Sequence, residues 1–91
     1  MPGIDDIKRK MATVAEIPQE LVRGLPLITM TGSEAVVIEN SKSLIEYSDE
    51  RVRVLTSCGV VMLTGKNLII SAISASSVSV GGRIASLEFL P

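Results

Sequence analysis

The sequence predicts an all-β domain preceded by an amphipathic helix, and three observations carry that expectation. From Leu27 onward, β-branched and other aliphatic residues come in short runs. Turn-forming residues interrupt the runs about every eight residues, the rhythm of a meander, sandwich or roll. Before Leu27 the apolar residues recur at helical spacing instead. At 91 residues the chain makes one domain at most. A chain this short hides only about 60–65% of its unfolded surface, so it gains from any assembly that covers more.

The helical segment comes first. Ile4, Ile7, Met11, Val14 and Ala15 fall within an arc of about 100° on a helix over residues 4–17. Asp5 and Asp6 stand in its first turn, where the helix dipole favours anions. Lys8, Arg9 and Lys10 follow on another side. Pro18 ends the helix or opens a short turn through Gln19 to Val22 that stops at Gly24. Pro26 then sets the chain extended. We divide the sequence into a helical segment, residues 1–24, and a β domain, residues 25–91.

Eight strand-like runs follow: LITMT, AVVIE, SLIEY, RVRVLT, GVVMLT, NLIISAI, SVSV and RIASLEFL. Between two of them Gly81-Gly82 forms a two-residue hairpin signal, because primed turns need positive φ. Thr64 to Asn67 has the composition of a slightly longer hairpin loop. The periodicity leaves a sandwich and a solenoid both open. In SVSV, Val78 and Val80 share one face; in RVRV, Val52 and Val54 lie opposite Arg51 and Arg53. These alternations predict half-exposed strands. Val60 to Leu63 and Leu68 to Ile70 differ, being apolar on both faces. One face packs on a second layer. The other needs a cover, either the N-terminal helix or another subunit, since at about 25 cal/mol per Å² an exposed row of Val or Ile forfeits several kcal/mol. Arg protects the 51–54 strand, whereas residues 67–80 carry no charge, so edge-to-edge assembly into a homo-oligomer is open to this chain.

Composition narrows the chemistry. There is no histidine, which removes the commonest general base and the commonest metal ligand, and with them Ser–His–Asp and Cys–His catalysis. The one cysteine, Cys58, has no partner for an intrachain disulfide, which fits a reducing compartment; beside Gly59 we expect it inert and partly buried. Asp49-Glu50 beside Arg51 is a solvated turn. Gly81-Gly82-Arg83 lacks the lysine, helix and spacing of a phosphate loop and is assigned as a turn. The net charge of −1, with two aromatics in the chain, gives no footprint for nucleic acid. The start, MPGIDDIKRK, has no signal-peptide pattern, and no apolar run reaches the roughly 20 residues of a spanning helix. We expect a cytosolic protein with no catalytic, cofactor-binding or metal-binding residues.

The segments LPLITMTG (25–32), VVIENSKSLIEYSDERVRVLT (36–56), GVVMLTGKNL (59–68) and VSVGGRIASLEF (78–89) resemble the YabP/YqfC family of sporulation proteins, most closely its YqfC branch. The resemblance spans about residues 17–90. Leu25-Pro26, Ile38-Glu39-Asn40, the glycines and leucine at 59, 65 and 68, and the ending Gly82, Ile84, Leu87, Phe89 carry it. All are strand and turn residues, none catalytic. The resemblance implies a small protein of the mother cell needed during endospore formation, without known enzymatic activity. It also implies a membrane-embedded partner of the YqfD type, and a location in the cytoplasm, peripheral at the membrane around the forespore. The expected function is therefore an interaction or assembly module. Its candidate surface is the helix face Ile4, Ile7, Met11 and Val14 with the outer strand residues Val60, Met62 and Ile69. The alternative is a β domain that holds a small, lipid-like ligand in an interior cavity.

Overall fold

The computed structural model describes residues 24–91; the helix expected over residues 4–17 lies outside the described residues. What is described is all-β. Six strands, β1 (Leu27–Thr31), β2 (Ala35–Glu39), β3 (Ser41–Tyr47), β4 (Arg51–Thr56), β5 (Gly59–Ile73) and β6 (Ser77–Leu90), make one antiparallel sheet. Their order is β1-β2-β6-β5-β4-β3.

The strands number six, not eight, because two expected turns are bends. GVVMLT and NLIISAI run on as the 15 residues of β5, and SVSV and RIASLEFL as the 14 of β6. The two interruptions face each other in the β5–β6 ladder, where Lys66 pairs with Arg83 and Ile69 with Gly81. The register slips between Lys66 and Ile69, and Asn67 takes a φ of 54°. Gly82 has a φ of 127°. Gly81 is held on its other side by Ala35 of β2, so the chain is not free to reverse there. Both strands therefore bend together. Glycine is needed at 82 for two reasons: L side chains rarely adopt that φ, and a Cβ would stand 2.5 Å from the Asn67 carbonyl oxygen.

The bend folds the sheet into two layers. The first holds β1, β2, residues 77–81 of β6 and residues 69–73 of β5; the second holds the remainder of β6 and β5 with β4 and β3. Asn40, with a φ of 62°, joins β2 directly to β3 and carries the chain from one layer to the other. Beside it, the Ser41 N–H donates to the Ser76 carbonyl at 3.1 Å.

Between the layers lies a core to which the described residues give ten members, each no more than 8% exposed: Val36, Ile38, Val52, Val54, Val61, Leu63, Leu68, Val78, Val80 and Ile84. Val52, Val54, Val78 and Val80 point inward as their alternation predicts. In β5 the inward set changes parity. Val61 and Leu63 are inside, and so is Leu68, although a strict period of two would have placed residues 65 and 67 there. The register slip at the bend absorbs the odd residue, so apolar side chains reach the core in both layers. This is why the apolar residues of β5 run on without clean alternation. Buried Thr56 closes the β4–β5 turn. Its Oγ1 donates to the Gly59 carbonyl at 2.9 Å and accepts from the Cys58 N–H at 3.1 Å. Cys58 itself is exposed, contrary to the partly buried thiol expected, because the tight turn points it away from the core.

Candidate docking surface

Register places the three described candidate residues. On the outer face of the second layer, Ser43, Leu55, Val60 and Leu90 form one cross-strand row, and Glu46, Arg53, Met62 and Glu88 the next. Val60 and Met62 are both half-buried. Met62 is flanked by charge: Arg53 Nε lies 2.7 Å from Glu46 Oε1 on one side, and Glu88 is its neighbour on the other. Ile69 sits elsewhere. It belongs to the outer face of the first layer, in a row with Thr31, Ala35 and Gly81, and is 57% exposed. Val60 and Met62 therefore share a face, and the bend separates them from Ile69. Ile4, Ile7, Met11 and Val14 lie outside the described residues.

Larger exposed apolar side chains occur where the core-facing rows run out. In the first layer Met30, Val36, Val80 and Ile70 form one such row, and Ile28, Ile38, Val78 and Ile73 the next. Their middle members are 0–2% exposed, but Met30 at one end is 46% and Ile73 at the other 57%. In the second layer Leu44, Val54, Val61 and Phe89 form a row that ends on Phe89 at 55% exposure. Tyr47 begins the adjacent row and is held by its hydroxyl, which donates to the Leu68 carbonyl at 3.2 Å. Sequence reading missed these four because period-two patterning tells which face a residue takes and not whether its strand lies at an edge.

The edges are protected unequally. β3 has two register irregularities and carries Lys42 and Glu46, and the end of β6 carries Glu88. Bulges and charges of this kind discourage pairing with a stray strand. Neither β1 nor residues 69–73 carries a charge, and β1 pairs with β2 in unbroken register. Among the described residues the uncharged edges are thus both in the first layer, β1 in unbroken register and residues 69–73 with one register shift, between Ile70 and Ala72.

The model of the YabP family matches residues 25–91, from the residue pair that leads into β1 through the last strand. The chain belongs to the YabP family. YqfC, an uncharacterized protein of Bacillus subtilis strain 168, is 31% identical to it over 84 residues, which cover 92% of this chain and 90% of that one. Three of the residues that carried the resemblance have structural roles in this YabP-family fold. A Cβ on Gly65 would collide with the Arg83 carbonyl oxygen across the β5–β6 ladder, and Leu68 and Ile84 fill the core on either side of the bend.

Proposed function

We propose that this YabP-family chain is a sporulation protein that works without catalysis, by docking to a membrane-embedded sporulation protein of the YqfD type. The site of action is the mother-cell cytoplasm, peripheral at the membrane around the forespore. Family membership supports the sporulation role. The observation that carries docking is the pair of uncharged first-layer edges, with Leu27, Met30, Ile69 and Ile73 each 46–57% exposed. An unpaired edge offers a row of backbone donors and acceptors, and flanking apolar side chains add burial when a partner strand is laid against it. A lipid-like ligand held inside the fold fits less well, since side chains from both layers occupy the interior.

Tagged protein is recovered from sporulating cells after separation of membrane and soluble fractions. Docking predicts recovery with the membrane fraction together with a membrane sporulation protein, and release of a folded Ile73→Asp variant into the soluble fraction. Wild-type protein found alone in the soluble fraction would remove this reading.

A further inference from the structure

The outer side of the bend holds a concavity of about 490 Å³ lined by Glu50, Arg51, Thr64, Gly65, Lys66, Arg83, Ile84 and Ala85. Three of the five cationic side chains among the described residues meet there, opposed by one acid, in a chain whose net charge is −1. Strand pairing assembles them: Arg51 of β4 is opposite Thr64 of β5, and Lys66 of β5 is opposite Arg83 of β6. A like-charge pair directly across two strands destabilises a sheet. Among the described residues, none of the three cations lies within ion-pair distance of an acid; Arg53, outside the concavity, takes Glu46. Stability does not account for Lys66 opposite Arg83, whereas a bound anion turns their repulsion into attraction.

We propose that this concavity is a binding site for a phosphate-bearing anion. Two arginines and a lysine line it from three strands. Guanidinium forks match the oxygens of a phosphate, and lysine adds a point charge. Thr64, whose hydroxyl is hydrogen-bonded to that of Ser86, lines the same hollow. The side chains hold the anion here, unlike a phosphate loop, where backbone N–H groups cradle it. An acidic peptide satisfies the charges equally, but a hollow of about 490 Å³ suits a compact group better than an extended chain.

The test is titration of the full chain with sodium pyrophosphate at constant ionic strength, read by amide shifts and by thermal melting. Saturable shifts confined to Arg51, Thr64, Lys66, Arg83 and their neighbours are expected, with a rise in Tm. Lys66→Gln weakens binding about tenfold or more, the loss of one charge-assisted contact, and raises Tm in the absence of anion because the cross-strand repulsion is gone. Arg51→Gln, on another strand, is the second variant and weakens binding without that gain. Vesicles of phosphatidylglycerol and of phosphatidylcholine identify the source. Binding to the anionic vesicles through the same residues assigns a lipid headgroup; pyrophosphate binding alone assigns a soluble phosphate ester. Shifts that spread over the surface without saturating, shifts unchanged in both variants, or a response to polyglutamate with none to pyrophosphate or vesicles would each overturn the proposal.

Discussion

Asn67 and Gly82 face each other across the bend with φ values of 54° and 127°, so the shape of the molecule depends on two backbones that most side chains resist. Gly82→Ala places a Cβ against the Asn67 carbonyl oxygen in a strained conformation. We expect it to lower stability by about 1–3 kcal/mol, measured as a fall in urea midpoint at unchanged m. Asn67→Gly keeps the left-handed conformation open and is expected to cost far less. Tyr47 makes a smaller contribution: its hydroxyl meets the Leu68 carbonyl at 3.2 Å in a part-buried setting. Tyr47→Phe is expected to cost about 0.5–1.5 kcal/mol by the same measurement. Asn67 and the two glycines were visible in the sequence as turn formers. That they bend a strand pair instead of reversing the chain was not visible, because the outcome depends on each interruption being paired opposite the other.

Strands differ in how much of their side-chain surface the fold uses. Leu63, fully buried in the middle of β5, is surrounded by neighbours from β4 and β6; Leu63→Ala is expected to cost about 2–5 kcal/mol through lost burial and the cavity left behind. The Glu46–Arg53 pair spans β3 and β4 with both side chains more than a third exposed. Solvent screens it, so Glu46→Gln is expected to change stability by less than about 1 kcal/mol. Ile73→Asp, at the open end of a core row, is expected to stay within about 1 kcal/mol of wild type in chemical denaturation while losing the proposed membrane partner. That separation of effects marks an edge used for docking. The alternation in RVRV and SVSV announced which side chains point inward. Nothing in those runs shows that β1 and the end of β5 are edges, and the exposure of Met30 and Ile73 follows from that alone.

At the scale of the molecule, the buried core among the described residues runs from Val36 to Ile84, with Ile28 and Leu87 packed against it. Deletion of residues 1–23 is therefore expected to leave a cooperative thermal transition and a β-type circular dichroism spectrum; loss of the transition would show that residues 1–23 contribute to the core. The β2–β6 pairing closes a loop of about forty residues, so refolding after denaturant dilution is expected on the millisecond-to-second scale typical of non-local β topologies. The sequence by itself determined the all-β class, the inward face of each regular strand, the want of histidine and the family resemblance, because these follow from residue type and local period. Tertiary structure alone decided that eight runs become six strands, that Val60 and Met62 share a face from which Ile69 is separated, and that Arg51, Lys66 and Arg83 meet in one hollow. Those facts are set by strand order and register, which join residues distant in the chain and leave no mark on local spacing.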